Sequence, residues 1–296
     1  MIEISVILPV YNRSKFLKRV LLSLEKQTYQ RFELIIVDDG STDGSYRVSR
    51  EFCSRNKNWK LFHLKHVGAS RARSYAIEKS CGKYLSFVDS DDFVEPDFLE
   101  ILHKNIKNSQ ISMCNYDTCF GNSRIHVWNP WFHRAGTFSR NEILNSLILD
   151  ISIKSFLWNK LFEKRLFDNI TIPDMCFEDK FVCLQVFSKI KKCTITKKVL
   201  YHYNKNVSSL TWEMNENTLN DYIKFSEFLR DFFVSKNEYN IFKTRHKMFC
   251  IHVFSIIFKV LFHEYIFKTF NIKMFFKKLI KNFKRIISSL LVTKKN

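Results

Sequence analysis

The 296 residues are 46% hydrophobic with only 6 Gly and 4 Pro, a composition that supports a packed core and excludes a low-complexity or disordered chain. The net charge of +19 is uneven, because residues 243–296 hold 13 Lys and Arg against one acid, Glu264, so an anionic partner is expected at that end. The 8 Cys form no CxxC pair, no secretory leader opens the chain, and no apolar run approaches the roughly 20 residues of a membrane span; reduced thiols, no zinc site and a cytoplasmic setting are expected.

Ile4 to Val10 is a short apolar run suited to a buried strand. Ser14 to Gln27 carries Phe16, Leu17, Val20, Leu21 and Leu24 at helical spacing, with Ser14 as the expected N-cap. Strands are predicted over Phe32 to Val37, Lys60 to Leu64, Tyr84 to Val88 and Ile111 to Asn115. Helices are predicted between them over Asp43 to Phe52, Ser70 to Ser80, where Gly82 is the expected stop, and Pro96 to Lys107. This alternation implies an α/β fold whose sheet is mostly parallel and covered on both faces, with ligands beyond the carboxyl ends of the strands. After residue 116 the alternation fades. Residues 128–138 read as aromatic and irregular, 141–149 and 178–189 as helices, 193–203 as a strand, and everything from about 212 as helix.

The acids fall at the strand ends. Asp38-Asp39 closes the second strand, and Asp89-Ser90-Asp91-Asp92 closes the fourth. Neighbouring carboxylates repel, and a Mg²⁺ or Mn²⁺ ion with oxygen ligands resolves that repulsion while gripping a diphosphate. Taken alone, each motif also reads as a solvated turn or a helix cap. Glu178-Asp179 opens a helix, where acids suit the dipole or supply a positioned base. Gly68-Ala-Ser-Arg-Ala-Arg73 leads into a helix whose N-terminus and Arg71 or Arg73 can approach phosphate. Neither GxGxxG nor GxxxxGK[ST] occurs, which disfavours nicotinamide enzymes and P-loop NTPases.

Ser5-Val-Ile-Leu-Pro-Val-Tyr-Asn12, Gln27-Thr28, Phe32 to Asp43, Gly68 to Arg73 and Phe87 to Asp92, in this order, resemble the family 2 glycosyltransferases of the GT-A, Rossmann-like fold. Trp158-Asn-Lys-Leu161 and Phe177-Glu-Asp179 extend a looser resemblance to the bacterial surface-polysaccharide enzymes of that family. The resemblance implies a UDP-sugar donor and a glycan or glycolipid acceptor. Asp39 would contact the base, with Pro9, Tyr11 and Asp38 lining the same pocket. Asp89 and Asp91, flanking Ser90, would form the metal-binding pair, with Asp91 the direct ligand. Asp179 would be the general base, with Glu178 beside it, in a single inverting displacement, and Trp158 would shape the acceptor side. The family often shows an Arg after Tyr-x-Tyr; here Tyr201-His-Tyr-Asn-Lys205 leaves Lys205 or His202 as substitutes. The expected division is a catalytic domain over 1–210 and a helical region over 211–296.

In that last region Ile272, Phe275, Phe276, Leu279, Ile280, Phe283, Ile286, Ile287, Leu290 and Leu291 form one apolar stripe, with Lys273, Lys277, Lys278, Lys281, Lys284 and Arg285 on the other side. Such a helix suits the interface of an anionic membrane, which would make the protein peripheral at the inner face of the cytoplasmic membrane. The plainer reading is a helix packed on the rest of the protein. No zinc finger, helix-turn-helix or RNA-binding signature supports nucleic acid as the partner. A nucleotidyltransferase that makes nucleotide-sugars and a non-catalytic membrane adaptor are the competing functions.

Overall fold

The structure, a computed structural model, describes residues 1–120, 123–125, 135–150, 153–173, 175, 177–205, 216–267 and 272–290. By contacts the chain forms two units. The first is Met1–Leu144, Ile151–Asp174 and Glu178–Val207; the second is Asn145–Asp150, Met175–Phe177 and Ser208–Asn296.

The first unit begins β1 (Ile4–Val10), α1 (Ser14–Glu25), β2 (Phe32–Asp38), α2 (Ser45–Arg55), β3 (Trp59–His63), α3 (Ala69–Lys79) and β4 (Tyr84–Phe87). It continues with β5 (Phe93–Val94), α4 (Phe98–Asn105), β6 (Ile111–Phe120), β7 (Ser123–Ile125), β8 (Gly136–Ser139) and α5 (Arg140–Leu147), whose last residues fall in the second unit. It closes with β9 (Lys160–Glu163), α6 (Glu178–Ser188) and β10 (Lys192–Asn204). The sheet runs β3-β2-β1-β4-β9-β6-β10-β5, with β7 on β6 and β8 on β10. The first four strands are parallel, as the alternation requires; the apolar runs of β1, β2 and β4 are buried, while at the edge strand β3 Trp59 is buried and Leu61 and Phe62 are half-buried. β9 then enters antiparallel between β4 and β6, so the sheet is mixed. The expected irregular aromatic stretch lies outside the described residues up to position 134, and so does the start of the helical region at Trp212.

Two local expectations are corrected. Ser14 is the first residue of α1, and its own N–H is capped from a distance by Asp43 Oδ2 at 3.0 Å. Asp43 also takes the Ser45 N–H at 2.9 Å, so one carboxylate serves the starts of α1 and α2. Gly82 is not a helix stop, since α3 ends at Lys79 and Ser80 follows it extended. Gly82 passes so close to β1 that a Cβ would lie 2.6 Å from the Ser5 nitrogen, and its N–H donates to Ser5 Oγ at 2.9 Å. Ser5 in turn donates to the buried Glu33 of β2, which also takes the Cys81 N–H and Lys60 Nζ. Burial pushes the Glu33 carboxyl up, yet these donors outweigh it and hold it at about 2.

In the second unit α7 (Glu216–Ser235), α8 (Tyr239–Phe267) and α9 (Ile272–Leu290) pack together. Phe225, Phe233, Phe242, Phe249 and Ile257 are buried there. At the centre lies a polar knot. Ser226 Oγ of α7 meets Ser289 Oγ of α9 at 2.8 Å, and His246 of α8 donates from Nε2 to the Ser226 carbonyl at 3.0 Å. Tyr239 hydroxyl completes the knot on His246 Nδ1 at 2.9 Å. The apolar stripe of α9 divides: Phe275 and Ile286 are buried in this unit, whereas Phe276, Ile280, Phe283 and Ile287 stay exposed. Among the described residues, no helix is long and apolar enough to cross a membrane.

Candidate active site

Strand order alone predicts where chemistry belongs. The chain steps from β1 outward to β2 and β3, then returns to β4 on the other side of β1. Loops diverge at that reversal and open a crevice at the carboxyl ends. Asp38 ends β2 and Asp39 follows it, and Asp89 to Asp92 follow β4.

Asp38 is fully buried and holds the turn, accepting from Ser41 N–H at 3.0 Å and meeting His63 Nδ1 at 2.9 Å. Asp39 caps no helix of its own loop. It accepts from the Val67 N–H at 2.6 Å and the Gly68 N–H at 2.9 Å, which fastens β2 to the approach of α3. The Gly68 N–H therefore serves Asp39, not a phosphate; Gly68 itself adopts φ 94°, a conformation that suits glycine. Gly40 (φ 75°) is equally constrained, since a Cβ there would stand 2.9 Å from the His66 nitrogen. Beside this loop the exposed Tyr11 ring stacks on His66 with centroids 4.3 Å apart, next to the partly exposed Pro9. His66 has no motif of its own and escapes a reading from sequence.

The second acidic cluster divides by burial. Asp92 points inward: Tyr201 hydroxyl donates to its Oδ2 at 2.6 Å and Asn204 N–H to its Oδ1 at 2.8 Å. Burial, then the charges of Asp89 and Asp91, push the Asp92 carboxyl well above the usual range. The Asp89 N–H donates to the same Tyr201 oxygen at 3.1 Å. Asp89 and Asp91 stay partly exposed, and each meets a guanidinium, Asp89 with Arg73 at 3.2 Å and Asp91 with Arg13 at 3.5 Å. Ser90 between them is buried. Two hard oxygen donors, separated by one residue and still partly exposed, fit a divalent ion of the Mg²⁺ or Mn²⁺ type.

Arg73 joins this cluster to the third. Its buried guanidinium donates from Nη2 to Asp89 and from Nη1 to Glu178 of α6. α3 thus carries both the loop that binds Asp39 and the arginine that binds Asp89 and Glu178, and Arg73 is occupied by carboxylates rather than open to phosphate. Asp179, next along α6, accepts from the Leu157 N–H at 3.2 Å through Oδ2; its Oδ1 is buried with no hydrogen-bond partner among the described residues. Burial raises its carboxyl most, Arg73 lowers it, Glu178 and Asp89 raise it again, and it titrates at about 7. That is where a general base works best at neutral pH.

The loop that offers Leu157 depends on Lys160, which is fully buried and donates from Nζ to the Phe156 carbonyl at 2.6 Å and Asn159 Oδ1 at 2.8 Å. Burial lowers its ammonium below the usual lysine range. Trp158 is only 3% exposed. It stacks on Phe156 and Tyr201 at 4.5 and 4.6 Å, so it supports the site from inside instead of presenting a ring to solvent. His202 does not reach outward either. It is 2% exposed, with Nδ1 on Asp117 at 2.6 Å and Nε2 on Glu95 at 2.8 Å, which leaves no nitrogen for a phosphate. The pairing of β10 with β6 that creates this contact also brings Cys119 near Asp117 and His202, their ligand atoms all within 4.8 Å. Cys119 thus lies beside a histidine although no CxxC pair marks it in the sequence. Lys205 fastens its backbone N–H to the Cys119 carbonyl at 2.8 Å.

The sequence profile described as glycosyl transferase family 2 matches residues 5–177. Glycosyltransferase GlyA of Streptococcus pneumoniae is 31% identical over 219 residues, 71% of this chain and 31% of GlyA, so this chain matches under a third of that protein's length. Glycosyltransferase GlyG of the same organism is 29% identical over 218 residues, 70% of this chain and 72% of GlyG. Among solved structures, S. aureus TarS 1–349 in complex with UDP-GlcNAc superposes with a TM-score of 0.67 at 20% identity, covering 98% of this chain and 82% of that one. That likeness extends the shared fold through the helical C-terminal region. With its profile match, its relatives and acids gathered at the strand reversal, the chain belongs to glycosyl transferase family 2.

Proposed function

We propose that this protein transfers a sugar from a UDP-sugar to a growing glycan or glycolipid, with inversion at the anomeric carbon, and works at the inner face of the cytoplasmic membrane. The observation that carries this reading is the Arg73 bridge, which draws Asp89 and Glu178 together beside the unpaired oxygen of Asp179. The UDP-GlcNAc held by the TarS neighbour supports the donor class.

In this reading the uracil lies against the Tyr11 and His66 rings near Asp39. Asp91 and Asp89 would hold Mg²⁺ or Mn²⁺, which when bound neutralises charge on the departing diphosphate. Arg13, partly exposed beside Asp91, yields its hold on that carboxylate and becomes available to diphosphate oxygens, while Arg73 stays on its carboxylates. Asp179 Oδ1 accepts the proton of the acceptor hydroxyl while that oxygen attacks from the face opposite the leaving group. Glu178, fixed by Arg73, keeps negative charge beside Asp179 and so keeps it basic. Trp158 backs the acceptor side through its aromatic stack. The β1–α1 connection, Tyr11-Asn12-Arg13, lacks the Gly-rich basic loop of nucleotidyl transfer.

UDP release from a panel of UDP-sugars, with and without Mn²⁺, tests the reading. Metal-stimulated UDP release that Asp91→Ala reduces by about 10²-fold or more is expected. Pyrophosphate as the product, or no loss in Asp91→Ala, would overturn it.

A further inference from the structure

The second unit leaves a phenylalanine-rich face on its outside. On α8, Phe258 and Phe262 are 43% and 46% exposed and stack with centroids 5.9 Å apart. Phe258 touches Phe275 of α9 at 6.1 Å, and Phe275 touches Phe276 at 5.3 Å, so one buried ring joins the exposed Phe258 of α8 to the exposed Phe276 of α9. On α9 it continues through Ile280 and Phe283, which are 52% and 44% exposed. An apolar surface of this extent marks a partner.

The flanking charge identifies the partner. Three of the exposed apolar residues of α9 are followed directly by an exposed lysine, Phe276 by Lys277, Ile280 by Lys281 and Phe283 by Lys284, whereas Ile287 is followed by Ser288. One step along a helix is a turn of about 100°, so these lysines line one border of the apolar strip. Their stems can lie along apolar surface while the ammonium groups reach polar headgroups. α9 contains no acid, and residues 243–296 hold one in all, so a second copy of the same face would meet its own positive charge. A phosphate-rich surface would not.

We propose that the α8–α9 face docks flat on an anionic lipid bilayer, with its phenylalanine and isoleucine side chains at the acyl boundary and Lys277, Lys281 and Lys284 at the lipid phosphates. This deepens the membrane part of the proposed function and is independent of its chemistry. The surface differs from the one that periodicity alone implies. Phe275 and Ile286 are used inside the unit, and α8 supplies the missing width.

The test is flotation of the full chain with vesicles of phosphatidylcholine alone or mixed with phosphatidylglycerol. The chain co-floats with the mixed vesicles only, and less so as salt rises. Each Lys→Gln change at 277, 281 or 284 lowers partitioning about fivefold. Phe276→Ser with Ile280→Ser abolishes flotation while circular dichroism stays unchanged; if that pair unfolds the unit, the exposed lysine variants carry the test. Equal flotation with neutral vesicles, undiminished flotation of the variants, or a dimer by light scattering that the serine pair dissociates would each overturn the proposal. UDP release from all variants in solution is expected to match the wild type. Lost flotation with intact UDP release is thereby separated from a failure of the catalytic reading.

Discussion

Tyr201 and Asp92 meet 109 positions apart through a 2.6 Å hydrogen bond, and the same hydroxyl receives the Asp89 N–H. One oxygen therefore fixes the loop after β4 to β10. Tyr201→Phe leaves buried polar groups of Asp92 and Asp89 unpaired, at a cost of about 1–3 kcal/mol. The urea midpoint is expected to fall, and KM for the donor to rise more than kcat falls. An unchanged midpoint with unchanged KM would show that the strut is dispensable.

Asp179 sets a pH dependence. Its carboxyl titrates at about 7 because burial, with Glu178 and Asp89, outweighs Arg73. A base acts when ionised, so kcat/KM should climb as pH passes through about 7 and level above it. For stability the sign is opposite. The folded value exceeds the ordinary 3.8, so the contribution is complete below that value and is lost as pH rises through 7. Asp179→Asn should lose transfer by about 10²–10⁴-fold and become more stable than the wild type at pH 8. Thermal melts across pH, beside turnover, would expose a base located elsewhere.

Arg73→Met removes the cation from between Asp89, Glu178 and Asp179. Breaking a buried ion pair on one side costs about 3–5 kcal/mol. Without the guanidinium the Asp179 carboxyl rises further, so the ascending limb of the rate profile should move alkaline in whatever activity remains. A limb that stays in place would mean that Arg73 does not govern Asp179.

His246 makes the helical unit acid-sensitive. Burial lowers its imidazole from the usual 6.5 to about 4, and nearby Arg230 adds to this against the Ser226 carbonyl. Its contribution is present above pH 6.5 and is lost as pH falls through 4, to a limit on the order of 3 kcal/mol. Helical signal in the wild type should melt earlier at pH 4.5 than at 7.5, and His246→Gln should flatten that difference while lowering stability at pH 7.5.

Much of the first hundred residues was legible because apolar runs and helical spacing there obey local rules. Acids placed directly after buried runs, at 38–39 and 89–92, pointed to strand ends by position alone. The inward turn of Asp92 and the outward turn of Asp91 could not be read, because the difference lies in Tyr201 and Asn204, on a strand that joins the sheet over a hundred residues later. Lys160 and His202 were opaque for the same reason. One organises a loop and the other bridges Asp117 and Glu95, and both depend on β9 and β10 entering a sheet that alternation alone makes parallel. The stripe of α9 was visible as periodicity, but its division between interior and exterior depends on α7 and α8.

α3 has a consequence for redesign. Its leading loop holds Asp39, and one turn on it holds Asp89 and Glu178. Under the proposed function, donor and acceptor selectivity are therefore not detachable cassettes. A chimaera cut between residues 80 and 150 would pair Arg73 of one parent with Glu178 of another, and would inherit a mismatched clamp even where every acidic motif is retained. Recombination between relatives should succeed when that helix travels together with the start of α6.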